Sequence, residues 1–141
     1  MKNDGPEVFS AVDAAHRRAA GHCELTQRFY FEAAHTLNRT IDATGSRRIH
    51  GHTYEAEVTV QGLPNPDSGM VIDLAYLRQE IERVRNQLDH RFLDEVPHLG
   101  PATLENLCSY ICRELDQAVP ALVAVTVGRQ ASGDRCVLRW R

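Results

Sequence analysis

His50-Gly51-His52-Thr53-Tyr54-Glu55-Ala56-Glu57-Val58-Thr59-Val60 is the stretch whose reading decides the architecture. Side chains two apart on an extended chain project from the same face. His50, His52, Tyr54, Ala56, Val58 and Val60 therefore share one face, and Gly51, Thr53, Glu55, Glu57 and Thr59 share the other. One face is apolar and ends in two imidazoles, while the other is polar. This pattern is that of a half-buried strand in an antiparallel sheet, and it aims two potential metal ligands in one direction.

Upstream, ELTQRFYFEAAH (residues 24–35) alternates in the same way, with Leu25, Phe29, Phe31 and Ala33 on the parity of His35. An antiparallel partner could bring His35 opposite the other two histidines. A lone histidine on an apolar face is more often a hydrogen-bonded core residue, and it is the three together that point to a metal. Three neutral imidazoles on a tetrahedral Zn2+ leave its fourth position open, which is the arrangement of a catalytic rather than a structural zinc. A basic loop, TLNRTIDATGSRRI (36–49), joins the two strands.

Downstream, QGLPNPDSG (61–69) is turn-rich, and Asp73 to Leu88 places Leu74, Leu77, Ile81, Val84 and Leu88 at spacings of three and four. That spacing predicts an amphipathic helix with Asp73 as its N-cap. A second helix is predicted from Thr103, just after Pro101, with Leu104, Leu107, Ile111 and Leu115 on one stripe and Pro120 at its end. ALVAVTVG (121–128) and RCVLRW (135–140) read as two final strands joined by a turn through Ser132, Gly133 and Asp134. The expected fold is α+β, a four-stranded antiparallel sheet in the order ββααββ with two helices on one face.

The chain has 141 residues, enough for one domain that buries its own core. Residues 1–22 are rich in Ala, Arg and charge, with only Val8, Phe9 and Val12 as sizeable apolar side chains, and are expected to form a mobile extension to a domain over 23–141. Net charge is -3, with 16 basic and 19 acidic residues interleaved, so no basic stripe suited to nucleic acid is present. No apolar run approaches a membrane span or a signal-peptide core, and a cytoplasmic protein without membrane partners is expected. The four cysteines, Cys23, Cys108, Cys112 and Cys136, lack C-x-x-C spacing and read as buried free thiols.

Five ordered blocks, FEAAHTL, HGHTYEAEV, GMVIDLAYL, LDHRFLDE and PATLENL, resemble the motif run of the 6-pyruvoyl/6-carboxytetrahydropterin synthase family across roughly residues 27–140. The resemblance implies a T-fold subunit, a homo-hexamer built as a dimer of trimers with sites between subunits, and zinc held by His35, His50 and His52. It implies zinc-assisted lyase or cyclase chemistry on a small molecule, 7,8-dihydroneopterin triphosphate in the family. It also implies that Asp89 and His90 orient and relay a proton, and that Thr103 and Glu105 line the substrate pocket.

Two positions depart from the pattern. The family's usual base is a cysteine four residues before the first histidine of HGH, and Ser46 stands there. An alcohol, unlike a thiol, needs a separate base to activate it. The resemblance also places a ring-anchoring glutamate at the end of the third strand, where this chain has Arg129, and no glutamate follows Glu114. Arginine offers only donors and cannot accept hydrogen bonds from a pterin edge, so a planar anion becomes the expected ligand there. Arg39, Arg47 and Arg48 could add to such a site. The expectation is an enzyme diverged to a non-pterin substrate, with an ordinary synthase and a non-catalytic zinc module as alternatives.

Overall fold

The computed structural model describes residue 11 and residues 21–140. The extension expected over 1–22 falls almost entirely outside the described residues.

Alternation in the two histidine-bearing segments becomes a long hydrogen-bonded ladder. β1 (Cys23–His35) and β2 (His50–Gly62) pair antiparallel from Cys23 opposite Gly62 to His35 opposite His50. The same register sets Ala33 against His52 and Phe31 against Tyr54. On the far side of β2 lies β4 (Leu122–Arg129), with Ala56 opposite Val127 and a register shift at Thr59/Val60. β5 (Asp134–Arg139) closes a hairpin with β4. Gly133 adopts φ 77, a left-handed conformation that costs glycine little, and its N–H returns to the Arg129 carbonyl at 2.9 Å.

Among the described residues, two helices of three turns or more follow the expected breaks, with one short addition. α2 (Leu74–Leu88) is capped by Asp73, which accepts from the Ala75 N–H, and α3 (Leu104–Leu115) by Thr103, which accepts from the Asn106 N–H. The addition is α1 (Ala43–Arg47), a short turn of helix inside the basic loop. The core forms where the apolar face of β1, β2 and β4 meets the helix stripes. Tyr54, Ala56, Val58, Val60, Leu77, Val84, Leu88, Leu107, Ile111 and Leu115 are all essentially solvent-free, at about 1.5–3 kcal/mol for each large apolar side chain.

Several expectations need correction. The sheet has five strands, not four, in the order β3-β1-β2-β4-β5, and it is mixed rather than wholly antiparallel. The extra strand, β3 (Arg91–Phe92), runs parallel to Ala33–Ala34, and two residues are too few to show any alternation. Leu74 lies at the first turn of its helix and is exposed, off the buried stripe. α3 ends at Leu115, although turn bonds from Asp116 N–H to the Cys112 carbonyl and from Val119 N–H to the Leu115 carbonyl continue its course toward Pro120. Of the four thiols, all free, only Cys108 is buried and Cys23 is exposed, because β1 begins at the sheet margin.

Candidate metal centre

The register of β1 against β2 carries the three imidazoles to one point. The Nε2 atoms of His50 and His52 each lie 3.0 Å from Nε2 of His35. Ring centroids are 4.6–4.9 Å apart, and the rings meet edge to edge at 64–90° rather than stacking. His35 Nδ1 lies 3.0 Å from the Ala102 carbonyl and His50 Nδ1 lies 2.8 Å from the Arg48 carbonyl. A carbonyl only accepts, so Nδ1 carries the hydrogen in both rings and Nε2 presents a lone pair. Lone pairs facing at 3.0 Å with no proton between them repel, and a cation at their focus removes that conflict. Tetrahedral ligands at zinc-like bond lengths sit roughly 3.3 Å apart, so the two pairs that include His35 need to open by only a few tenths of an ångström, and all three ligand atoms lie within 4.8 Å of one another. Among the described residues these three form a group that could hold a metal.

Their electrostatics suit that role. Burial pushes the His35 imidazole below its ordinary pKa, against the opposing hydrogen bond to Ala102. His52 is pushed down to about 4, by burial first and then by the Arg129 charge. Both rings are therefore neutral at pH 7, the form that binds a metal.

Arg129 does face the site. Its Nη1 is 3.4 Å from His52 Nε2, its Nη2 donates to Asp134 Oδ2 at 2.7 Å, and its Nε is buried without a partner among the described residues. Ser46 is buried on α1 and lines the same cavity as His50, His52 and Arg129, of about 400 Å³. Its hydroxyl donates to the Ala43 carbonyl at 3.2 Å, and no base is among its bonded partners. Thr103 and Glu105 line an adjoining cavity of about 500 Å³ with Tyr54 and Arg129, and Thr103 also caps α3.

Asp89 and His90 are held elsewhere. Asp89 accepts from the Glu32 N–H at 2.9 Å, and the His90 N–H donates to the Glu32 carbonyl at 2.6 Å, so the pair clasps the backbone of β1. His90 holds φ 56, a left-handed conformation rarely adopted by a residue with a side chain. Its Nδ1–H donates to Asp89 Oδ2 at 2.8 Å, and Arg85 reaches the same oxygen at 3.1 Å. The Glu32 hydrogen bond, supported by His90 and Arg85, holds the Asp89 carboxylate below the usual range. His90 borders a cavity with Glu32, Gly51, Thr53 and the triad member His52, and it is not among the residues lining the cavity that His50, Ser46 and Arg129 share.

Two further residues belong to the site. The alternation of β2 assigns Tyr54 to the apolar face, yet its hydroxyl is buried without a partner among the described residues, beside Arg129. The signal was available, since it continues the parity of His50 and His52. In the sequence Asp134 is a turn residue, and its contact with Arg129 depends on a hairpin register that composition does not reveal.

The chain can now be set beside known proteins. The family model for 6-pyruvoyl tetrahydropterin synthase matches residues 24–139. The 6-pyruvoyl tetrahydrobiopterin synthase of Homo sapiens is 39% identical over 118 residues, covering 74% of this chain and 81% of the relative. The 6-carboxy-5,6,7,8-tetrahydropterin synthase of Synechocystis sp. is 34% identical over 109 residues, covering 73% and 83%. Among solved structures, Caenorhabditis elegans 6-pyruvoyl tetrahydropterin synthase superposes with a TM-score of 0.75 at 26% identity, covering 86% of this chain and 97% of that one. With the matched segment running from the first strand to the last and carrying all three clustered histidines, this chain belongs to the 6-pyruvoyl tetrahydropterin synthase family.

Proposed function

We propose that the chain is a zinc-dependent lyase or cyclase-type enzyme acting on a small anionic molecule other than the standard pterin. The observation that carries the substrate half is Arg129, whose guanidinium faces His52 from the position where the family resemblance puts a ring-anchoring carboxylate. A donor-only group there leaves a pterin edge, itself a row of donors, without acceptors.

His35, His50 and His52 would hold the ion, with the Ala102 and Arg48 carbonyls fixing the first two rings. When bound, zinc supplies Lewis-acid polarisation of a substrate oxygen. Proton removal does not fall to Ser46, whose hydroxyl is engaged by a backbone carbonyl. It falls to His90, whose Nδ1–H is bound to Asp89 so that Nε2 remains to take the proton. Because His90 does not line the cavity that His50, Ser46 and Arg129 share, this reading has a second copy bring it to the open face of the metal. A cytoplasmic homo-oligomer, the dimer of trimers implied by the family, meets that requirement. No helix among the described residues is long and apolar enough to cross a membrane.

A second reading is the ordinary synthase. It is favoured by Glu105, a carboxylate that lines the Arg129 cavity from α3 and could accept what Arg129 cannot. Incubating zinc-loaded protein with 7,8-dihydroneopterin triphosphate and following triphosphate release by chromatography separates the two. No release above the metal-free control is expected, whereas steady turnover would install the ordinary synthase in place of the diverged enzyme.

A further inference from the structure

Charge in front of the histidines is set for an anion. The cavity there is lined by Arg39 and Arg129 against Asp42 and Asp134, two cations and two carboxylates, with imidazoles beside them. A divalent ion on the triad adds two positive charges that no other side chain lining the cavity offsets. Arg39 also acts on Asp134, so that carboxylate is shared between two arginines rather than reserved for one.

The hydrogen-bond donors of Arg129 are underused in the same place. A guanidinium carries five N–H groups, and here one goes to Asp134 Oδ2 while Nε is buried with no acceptor. Nη1 faces only His52 Nε2. Once that lone pair is given to a metal, Nη1 has no acceptor either. The Tyr54 hydroxyl is a second buried group without a partner among the described residues. It lies two residues beyond His52 on the same strand face, with ring centroids 5.6 Å apart. The β2–β4 register, Ala56 opposite Val127 and Glu55 opposite Gly128, brings Arg129 alongside it. Buried polar groups are nearly always paired, and two residues with orphan atoms that both line the cavity adjoining the one in front of the triad, Arg129 lining both, are best explained by a ligand that supplies their partner.

The spacing narrows the ligand. Nη1 lies 3.4 Å from an atom that would itself bind the ion, so an acceptor on Nη1 sits within a bond or two of any oxygen at the open metal position. A carboxylate whose neighbouring carbon bears an oxygen spans that gap. We propose that Arg129 and Tyr54 seat the carboxylate of a small 2-hydroxy or 2-oxo acid group, whose adjacent oxygen takes the open position of the metal on His35, His50 and His52. The proposal rests on the metal-centre reading above and names the anion that the site accepts.

Cobalt(II)-loaded protein gives a visible spectrum that responds to the fourth ligand, so the test can be read without turnover. Glycolate and its neutral isostere glycolamide are titrated side by side, with inorganic phosphate and chloride as competing anions. Glycolate should bind about tenfold tighter than glycolamide, as expected for a charge-assisted fork, and tighter than either inorganic anion. Arg129→Gln should abolish that preference while cobalt still binds, and Tyr54→Phe should reduce it about threefold. Asp134→Asn, which frees Nη2 and removes a competing negative charge, should tighten glycolate binding.

Equal affinity for glycolate and glycolamide, or a preference that survives Arg129→Gln, would overturn the proposal, and so would chloride or phosphate binding as well as glycolate does. If Arg129→Gln does not fold, Asp134→Asn decides, and unchanged or weaker glycolate binding there counts against the seat. Absence of a cobalt spectrum removes the metal-centre reading and this inference together. A normal cobalt spectrum without glycolate preference removes this inference alone.

Discussion

The histidine triad and the Asp89–His90 pair both lean on β1, yet the triad's rings converge within the chain while the His90 side chain stands exposed. The triad is made by strand register, with His35 opposite His50 at the end of a ladder thirteen residues long, and its rings converge on one point. The Asp89–His90 pair is made by a clasp on the Glu32 backbone, and the His90 side chain is 76% exposed. A site built into a ladder is finished when the ladder forms. A site built on a sheet edge is finished by whatever docks there.

The largest expected effect tests the triad. Replacing His50 and His52 together by alanine should take metal content, measured on purified protein, from about one ion per chain to near zero, because a lone imidazole cannot retain a divalent ion through purification. Full occupancy in that variant would place the metal elsewhere. Next comes the Asp89–His90 pair. On any substrate that the zinc form turns over, His90→Ala should lower kcat by about 10²-fold or more at unchanged metal content, while Ser46→Ala should cost no more than a few-fold. The reverse ordering would show an activated serine. A monomer by light scattering would also separate His90 from the metal and end its role as base.

Smaller effects follow from single hydrogen bonds. Asp89→Ala removes the acceptor of the Glu32 N–H and should destabilise the fold by about 1–2 kcal/mol in denaturant titration, without loss of metal. Because the folded-state pKa of Asp89 is depressed, the advantage of the native chain should be fully present above pH 5. It should then fade as pH falls through the ordinary carboxylate range and below. Smallest of all, Tyr54→Phe deletes a buried hydroxyl with no partner among the described residues, and should leave the metal-free protein unchanged or stabilise it by up to about 1 kcal/mol. A clear destabilisation would reveal a partner for that hydroxyl.

Much of this was legible in residues 24–35 and 50–60, because alternation over a long strand fixes which side chains share a face, and two such strands predict a cross-strand histidine pair. Helix stripes were legible for the same reason, with Asp73 and Thr103 marking both starts. What escaped were features set by tertiary placement. β3 owes its existence to the edge of β1 rather than to the propensity of Arg91 and Phe92. Asp42 enters α1 in a left-handed conformation, φ 54, inside a stretch whose composition reads as loop. Which cavity receives His90 depends on the turn after Leu88 and its left-handed backbone, and no sequence period encodes that.

His35 closes β1 and His50 opens β2, so residues 36–49 form a loop whose two ends meet at the ligand atoms. Ladder ends are ordinarily where amide protons exchange first, through local fraying. An ion shared by His35 and His50 would act as a clasp on that end, adding occupancy to the short helix and the Leu37–Ser46 backbone bond that already order the loop. Metal departure and opening of the loop are then coupled. Chelation should speed amide exchange over 36–49 far more than in the Arg129–Asp134 hairpin, and the dissociation rate of the ion would set how often the cavity lies open to solvent.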